Sequence, residues 1–390
     1  MQLRHGLHLA YCTNIHRGES WAQTWQTLRE HTLAVRDRVC RGTPYAIGLR
    51  LGADAARELA APATLLAFQQ WLDRENCYVF TINGFPYGQF HGTRVKEQVY
   101  APDWTTPARL EYTNLLFDLL GQLVPAGVEG SVSTVPVSFK EFALGEDGLN
   151  QAADNLWHCL DHIEQVSRRT GRQLHLGLEP EPLCVLETTA ETVDFFARLR
   201  ARRPGDARLD RHLGVNYDCC HLAVEYESPA EAIGRLRRHG ILLSKIHLSS
   251  ALAVRPTPDV REALRAFADD TYLHQVVERA PDGSLARWRD LAPALALDHE
   301  TRGTAGREWR IHFHIPLHAP ATALFGNTQD HLLGVLDLVA AEPGLCRHFE
   351  METYTWEVMP QELKNRSVVD QLVAEYDWTL ARLRDRGLAD

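Results

Sequence analysis

A strand-like segment followed by a helix-like segment recurs eight times along this chain, and this alternation constrains the fold more than any other feature. Most of the strand-like segments are short, apolar and rich in β-branched or aromatic residues, and each ends in polar residues, glycine or proline. Eight alternations favour a closed parallel (β/α)8 TIM barrel over an open doubly wound sheet. The predicted strands are residues 7–15, 45–51, 78–82, 131–137, 174–178, 213–217, 245–248 and 348–352.

Start and stop signals for helices lie between the predicted strands. Residues 20–23, 188–191 and 228–231 have the spacing of a capping box, and Pro107 stands where a first helical turn would begin. Gly171 follows an apolar helical stripe and is expected to end it. No GxGxxG or GxxxxGK[ST] loop follows any predicted strand, which removes the main reason to expect a nucleotide-binding open sheet.

The connection between the seventh and eighth predicted strands is much longer than the others. We interpret residues 252–320 as an insertion over the C-terminal mouth of a single barrel domain that spans residues 1–390. Segments 272–279 and 285–291 resemble a hairpin across a Pro-Asp-Gly turn, and the run 309–318 follows them. The insertion shows no evident apolar core of its own in the sequence.

Composition limits the function classes that are open to the chain. Its 390 residues fall within the range of one barrel, and a net charge of −10 disfavours nonspecific nucleic-acid binding. No apolar run is long enough to span a membrane, and no signal-peptide pattern opens the sequence. The eight cysteines are scattered without a CxxC pair, so reduced thiols and a cytoplasmic location are expected. The sequence leaves open whether the protein forms an assembly of identical subunits.

Four polar side chains stand at the ends of four consecutive predicted strands, namely Glu179, Asp218, His247 and Glu352. The inward-pointing ends of neighbouring barrel strands converge on the barrel axis. Three converging carboxylates would repel one another unless a cation lay between them. A mixed carboxylate and imidazole set suits a divalent metal such as Mn²⁺, Zn²⁺, Mg²⁺ or Co²⁺. Separate acidic residues on surface loops are the simpler alternative.

Strand periodicity extends this candidate site. Lys245 shares the strand face of His247, and we include it as a candidate catalytic residue. Glu350 shares the face of Glu352 and is an alternative metal ligand, although Glu352 lies nearer the strand end and is preferred. Glu181 shares the face of Glu179, but Pro180 makes the turn there uncertain.

Histidines surround the same mouth. His221 follows Asp218 by three residues, where the strand turns toward its helix, and it would serve a second metal or a substrate. His312, His314 and His318 alternate, so they share one face if the segment is extended, and on an insertion over the mouth they could reach a second metal or the substrate. The alternative for each of these histidines is a packed, hydrogen-bonded side chain.

The loop 83–92 carries three glycines and three aromatic residues, which suits a lid whose rings stack on a sugar or cyclitol ring. Two basic residues follow it and could hold a phosphate or carboxylate. A loop that is merely packed by its own aromatic rings is the alternative. The candidate substrate-binding residues are Asn83, Phe85, Tyr87, His91, Arg94, Lys96 and Trp356.

At these residues the chain resembles the xylose isomerase-like barrel superfamily, in which Glu, Asp, His and Glu on strands five to eight bind metal. Nine motifs resemble its EboE-type branch of sugar phosphate isomerase/epimerase-like metabolite traffic proteins, and together they span nearly the whole chain. The motifs are AYCTNIH, NGFPYGQFHG, KEQVYAPDW, LEPEP, YDCCH, SKIHLSS, YLHQV, HFHIPLH and ETYTW.

The resemblance implies a (β/α)8 barrel, a bound divalent metal and proton transfer by Glu179 and Glu352 next to a carbonyl. Strand two ends in Gly48-Leu49-Arg50, which lacks the histidine of the superfamily's three-metal endonucleases. A second metal on His221 and His314 remains open.

The sequence therefore predicts a metal-dependent isomerase- or epimerase-like enzyme. Its expected substrate is a small polyhydroxylated metabolite, with or without a phosphate group, in a pathway whose product is trafficked or exported. Two alternatives remain, which are a metal-dependent phosphoester hydrolase of the apurinic-endonuclease type and a metabolite carrier without turnover.

Overall fold

Eight parallel strands form a nearly closed barrel in the computed structural model, which describes residues 1–297, 303–359 and 366–390. Each strand pairs with its neighbours in parallel, and a bridge between Cys12 and Gly48 joins the first strand to the second. The predicted (β/α)8 TIM barrel is therefore confirmed. Numbered along the whole chain, the barrel strands are β1 (His8–Tyr11), β2 (Tyr45–Arg50), β3 (Cys77–Asn83), β4 (Gly130–Thr134), β5 (Leu174–Leu178), β6 (Leu213–Asp218), β7 (Leu242–Leu248) and β13 (His348–Met351).

Helices alternate with these strands and cover the outside of the barrel. Residues 28–32 form a π-helical segment that joins the first two helices, and short 3₁₀ turns occupy several loops. No helix among the described residues is long and apolar enough to cross a membrane. The helices are α1 (Trp21–Thr27), α2 (Leu33–Val39), α3 (Ala53–Leu59), α4 (Pro62–Arg74), α5 (Pro107–Leu123), α6 (Gly145–Thr170), α7 (Thr189–Arg202), α8 (Arg208–His212), α9 (Cys219–Val224), α10 (Pro229–Arg238), α11 (Pro258–Leu264), α12 (Leu291–Leu295), α13 (Gln329–Ala341) and α14 (Val368–Arg384).

The helix signals are mostly realised as local hydrogen bonds. Ser20 and Thr188 each close a capping box with the residue three positions on, and Gly171 ends α6 in the left-handed conformation. Ser228 does stand at the N-cap of α10 with proline after it, but its side chain makes no capping hydrogen bond. The capping-box prediction is wrong there, and Pro229 in the first helical turn remains as the start signal.

The long segment between the seventh and eighth barrel strands forms a second sheet, so the predicted insertion is confirmed. This sheet is antiparallel, with the order β10-β9-β11-β8-β12, and its first hairpin turns at residues 281–283 as expected. Its strands are β8 (Ala251–Val254), β9 (Val276–Arg279), β10 (Leu285–Trp288), β11 (Glu308–His314) and β12 (Gly326–Asn327).

The insertion has its own apolar core, contrary to the sequence expectation. Trp309, Ile311 and Phe313 of β11 are buried together with Leu264 and Phe267. The sequence does not reveal this core because β11 also carries histidines on its other face, which makes the strand look polar. The insertion is thus a packed layer that holds β11 over the barrel mouth.

Polar side chains fill much of the barrel interior, where branched apolar residues would be usual. Contacts between strands that are not neighbours identify them. Lys245 of β7 donates to Ser133 of β4 over 3.1 Å, and His348 of β13 bonds Ser131 of β4 over 2.8 Å. The apolar residues of the same strands face outward and pack under the helices in the main core. The barrel axis is therefore a column of hydrogen-bonded polar groups.

Candidate metal centre

Four side chains from the C-terminal ends of four neighbouring strands meet at the mouth of the barrel. Glu179 follows β5, Asp218 ends β6, His247 lies near the end of β7 and Glu352 follows β13. One ligand atom from each lies within 4.8 Å of the others, and all four side chains are buried. The structure thus brings together the four residues that the sequence pattern singled out.

The ring of His247 is at the centre of this group. Its Nδ1 atom lies 3.0 Å from Glu179 Oε1, 3.1 Å from Glu352 Oε2 and 3.3 Å from Asp218 Oδ2. Burial opposes a charged imidazole, but the carboxylates of Glu352 and Glu179 outweigh burial and hold the pKa of His247 well above its usual value. Positive charge is therefore strongly favoured at the point where the carboxylates converge.

The donor set fits a divalent cation. Glu179 Oε2 and Asp218 Oδ2 are buried without a hydrogen-bond partner among the described residues. Buried carboxylate oxygens need compensation, and three carboxylates with one imidazole match the ligand preferences of Mn²⁺, Zn²⁺ and related ions. These four residues would hold such an ion.

Glu350 lies one layer below this group, inside the barrel. Its Oε2 atom accepts from Lys245 Nζ over 2.5 Å and lies 2.9 Å from His247 Nε2. Burial would raise the pKa of Glu350, but Lys245 and His247 hold it at about 2. Glu350 thus orients His247 from behind, the usual position of a residue that supports a histidine ligand. Glu352, not Glu350, belongs to the four-residue group.

Lys245 does not line the cavity at the barrel mouth. Its ammonium group is fully buried and is engaged by Glu350 and Ser133. The strand period did place Lys245 on the inner face of β7, but two residues deeper than His247. The structure therefore gives it a supporting position beneath the centre and does not bring it to a substrate.

A cluster of imidazoles lies beside the four-residue group. His312 Nε2 is 3.3 Å from His314 Nε2, which is 3.4 Å from His221 Nε2. His221 and His314 form a second group of metal-binding geometry with Asp218, and His312 and His314 form another with Cys220. Burial lowers the pKa of His221 to about 4 and that of His312 well below its usual value, so neutral rings are favoured. Neutral imidazoles are the form that binds metal.

A cavity opens directly in front of these groups. The lid loop 83–92 covers one side, the insertion covers another, and the segment after β13 completes the wall. Aromatic and polar side chains line it together, as in many small-molecule sites. The lining residues are Asn14, Asn83, Phe85, Pro86, Phe90, Lys96, Val99, Tyr100, Glu179, Glu181, His221, Tyr272, Leu273, His312, Glu352 and Tyr354.

Several predicted substrate-binding residues lie elsewhere. Tyr87 packs on Tyr112 with ring centroids 5.1 Å apart, and Arg94 is exposed. His91 packs on Phe90, and Trp356 lines a separate groove with His16. His318 is also absent from the cavity wall, because the extended strand ends at His314 and the chain then turns. Loop residues such as these do not follow strand periodicity, so sequence spacing alone did not position them.

Lys96 lines the cavity only with its stem. Its ammonium group donates to the carbonyls of Asp269 and Tyr272 over 2.8 and 2.7 Å, and it pairs with Asp290 at 2.7 Å. The backbone of Val95 and Lys96 also donates to the carbonyl of Thr271. Lys96 was expected to bind an anion. It instead acts as a clamp between the insertion and the lid side, by which we mean the lid loop 83–92 and the residues up to 100 that follow it.

The structure adds Asn14 and Glu181 to the residues that sequence reasoning selected, and it places the predicted substrate-binding residue Asn83 beside Glu352. Asn14 and Asn83 both donate to Glu352 Oε1, over 2.8 and 3.1 Å. Glu181 lines the cavity and accepts from Tyr100 over 2.5 Å, and burial holds the pKa of Glu181 well above its usual value. The sequence did point to Glu181, because strand periodicity places it on the same face as Glu179. No such periodicity points to Asn14, which follows the short strand β1.

No protein-family model matches this chain, and no curated protein matches it. Solved structures share its fold over almost its whole length. An L-ribulose 3-epimerase superposes with a TM-score of 0.51 and 13% identity, covering 99% of this chain and 96% of that chain. A xylose isomerase-like TIM barrel protein from Mycobacterium smegmatis, solved in complex with magnesium, superposes with a TM-score of 0.52 and 13% identity, covering 99% of both chains. At that identity the likeness shows the xylose isomerase-like barrel fold alone.

Proposed function

We propose that this protein is a divalent-metal-dependent isomerase or epimerase of a small polyhydroxylated metabolite, with or without a phosphate group. The observation that carries the proposal is a pair of carboxylates, Glu179 and Glu352, which both line the cavity and lie about equally far from His247 Nδ1, at 3.0 and 3.1 Å. We also propose, from the resemblance of its motifs to the EboE-type branch, that the product enters a trafficking or export pathway.

Two carboxylates at one cavity can move a proton in both directions. One takes the proton from a carbon next to a carbonyl, and the other returns a proton to the opposite face or to the neighbouring carbon. Glu179 and Glu352 both line the cavity, so a substrate bound there would contact both carboxylates. A cation held by the four-residue group would supply positive charge beside the carbonyl and hydroxyl oxygens of the substrate.

The remaining wall supports a sugar or cyclitol as substrate. Phe85, Phe90 and Tyr354 line the cavity, and their rings would pack against the apolar side of a sugar ring. Glu181 and Tyr100, which share a short hydrogen bond, present polar groups for substrate hydroxyls. Because Lys96 is engaged by the insertion, a substrate phosphate would have to extend beyond it toward solvent.

The test is incorporation of solvent deuterium into carbon-bound positions of ketoses, aldoses and cyclitols, followed by NMR and mass spectrometry. The metal-loaded protein should label a substrate at the carbon next to its carbonyl, and both Glu179→Gln and Glu352→Gln should abolish labelling. Glu352→Gln should also weaken metal binding by at least ~10-fold, measured by calorimetry, because it removes one charged ligand. The Tm of the metal-free variant should stay within a few degrees of that of the metal-free parent.

Glu357→Gln is the matched control, because Glu357 is a surface carboxylate paired with Arg17 at 2.8 Å. It should retain both metal binding and labelling. Binding of polyols without any deuterium incorporation at substrate carbons, in the presence of each candidate metal, would favour a carrier instead.

A metal-dependent phosphoester hydrolase is the second candidate, and the cluster of Asp218, His221 and His314 favours it. This group offers a second metal position beside the first, and paired metals commonly activate water toward phosphate esters. Release of inorganic phosphate from sugar phosphates, or cleavage of an abasic-site duplex, distinguishes this function. Loss of that release in His221→Asn, with no deuterium incorporation in the parent, would replace the isomerase proposal.

A further inference from the structure

A second polar cluster lies at the opposite end of the barrel, where the strands begin. Glu129 immediately precedes β4, His175 is the second residue of β5, and His348 opens β13. One ligand atom from each of these three side chains lies within 4.8 Å of the others. Because β13 begins at His348 and Glu352 directly follows its last residue, this cluster is about 13 Å from the mouth.

The hydrogen bonds of His348 fix which of its nitrogens carries the proton. Its Nδ1 atom lies 2.8 Å from Ser131 Oγ, and the Ser131 hydroxyl donates its own proton to Thr81 Oγ1 over 2.8 Å. Ser131 must therefore accept from His348 Nδ1, which leaves a lone pair on His348 Nε2. Metal-binding histidines generally donate their other nitrogen in this way.

That lone pair has no partner. His348 is only 1% exposed, and its Nε2 makes no hydrogen bond with any described residue. Burial, together with the neighbouring His175 and His8, holds the pKa of His348 well below its usual value, so the ring is neutral. A buried, neutral imidazole with an unused lone pair is suited to a cation and cannot donate to an anion.

His175 completes the arrangement from the neighbouring strand. Its Nδ1 atom bonds Ser244 Oγ over 2.7 Å, and its ring centroid lies 5.2 Å from that of His348. His175 Nε2 is 3.8 Å from Glu129 Oε2, which is too long for a hydrogen bond but leaves room for an ion between them. The Glu129 side chain is 25% exposed, so the cluster is open to solvent on that side.

We propose that Glu129, His175 and His348 form a second metal site, which takes a transition-metal dication of the zinc type at the N-terminal end of the barrel. Two imidazoles, one carboxylate and water on the open side match the ligands and the four-coordinate geometry that Zn²⁺ prefers. The ion would connect β4, β5 and β13, and β13 does not pair with either of the other two strands. Its role is structural, because the N-terminal face of a barrel usually serves stability.

Arg347 is the competing cation at this site. It pairs with Glu129 Oε1 at 2.9 Å and is half-exposed. Arg347 holds Glu129 Oε1 while Oε2 faces His175, so the nearby positive charge would weaken zinc binding without blocking the site. Arg347→Gln should therefore bind zinc more tightly than the parent protein.

The experiment is equilibrium dialysis of the full-length, metal-stripped protein against Zn²⁺, with bound metal counted by mass spectrometry. Glu129→Gln should bind one equivalent less than the parent, because it loses the charged ligand while the two buried histidines stay in place. Glu352→Gln should keep that equivalent, since it affects only the mouth. Crystals soaked in Zn²⁺ should show an anomalous peak beside His348 Nε2 in the parent and in Glu352→Gln, and none in Glu129→Gln.

Glu342→Gln is the control for the loss of one surface carboxylate, since Glu342 is half-exposed and pairs with Arg237. It should bind as much zinc as the parent. Equal zinc stoichiometry in the parent and in Glu129→Gln would overturn the proposal, as would a parent crystal without anomalous density at His348.

Discussion

Gly48 shows how the absence of a side chain determines what the barrel can hold. A Cβ atom built at this position would overlap Glu350 Oε1 and lie 2.6 Å from the carbonyl oxygen of Tyr11. The carboxylate that orients His247 therefore occupies the space that a side chain on β2 would need. The sequence shows only that no histidine stands here, and the structure shows that no side chain fits.

Gly48→Ala should therefore destabilise the protein by about 2 kcal/mol or more, because neither backbone nor carboxylate can move away without strain. Displacement of Glu350 should also weaken metal binding at the mouth by at least ~10-fold, since the support of His247 is lost. Denaturant unfolding and calorimetry measure the two effects.

Gly344→Ala is the matched control for this glycine substitution. No atom lies within 4 Å of a Cβ built at Gly344. Its stability should stay within about 0.5 kcal/mol of that of the parent. An equally small change in Gly48→Ala would show that the barrel interior relaxes freely and would contradict this account of Glu350.

Side chains on strands could be placed from the sequence, and those on loops could not. Side chains alternate between the two faces of a strand, which placed Glu179, Asp218, His247 and Glu352 on the inner side of the barrel. Because the barrel strands are parallel, these four strand ends all lie at the same end of the barrel. Arg94 and Lys96 follow an irregular loop, where no period relates sequence position to direction. Lys96 was therefore assigned to a substrate although its charge is engaged by the insertion.

At the scale of elements, the lid side and the insertion are held together by a few specific contacts. Lys96 supplies three polar contacts to the insertion, and the Tyr272 hydroxyl donates to the carbonyl of Phe90 over 2.9 Å. The rings of Phe90 and Tyr272 also pack with centroids 5.1 Å apart. The cavity wall thus depends on two segments that are far apart in sequence.

Lys96→Met should loosen this wall while keeping the stem that lines the cavity. Two carbonyls and Asp290 would lose their donor, so the free energy of local opening should fall by about 2 kcal/mol, which is roughly a 30-fold faster amide exchange. Hydrogen–deuterium exchange should show the change in residues 96–100 and 269–273 together.

Arg94→Met is the control for this clamp, since Arg94 is an exposed cation two residues away. Its exchange pattern should match that of the parent in both segments. If Lys96→Met accelerated exchange in the lid side alone, the two segments would open independently and the clamp would not couple them.

At the scale of the whole molecule, the alternation of strands and helices was sufficient to predict the barrel and the position of its insertion. The antiparallel sheet order within the insertion was not predictable, because pairing between distant strands leaves no local period. The polar barrel axis was missed for a related reason. A strand that is buried on both faces has no regular alternation of polar and apolar residues, so nothing in the sequence singles out His175 and His348.

Glu375 joins three distant parts of the chain and makes the stability of the fold depend on pH. Its Oε1 atom accepts from the backbone N–H of Leu317 over 3.1 Å and from the Thr353 hydroxyl over 2.8 Å. These contacts tie α14 to the end of the insertion and to the segment after β13. Burial raises the pKa of Glu375 from 4.5 to about 7 despite these hydrogen bonds.

A pKa that is higher in the folded state than in the unfolded chain means that the folded protein binds the proton more tightly. The stability from this group is therefore fully present below pH 4.5 and is lost as the pH rises through about 7. Glu375→Gln, which mimics the protonated acid, should match the parent near pH 4.5 and exceed its unfolding free energy by about 3 kcal/mol at pH 8. Denaturant unfolding across that pH range measures this difference in unfolding free energy.

Glu342→Gln is the surface control, and its difference in unfolding free energy from the parent should not change with pH. If the difference for Glu375→Gln also stayed constant from pH 4.5 to 8, Glu375 would be ionised in the folded protein throughout that range. The junction of α14, the insertion and β13 would then be held by a carboxylate.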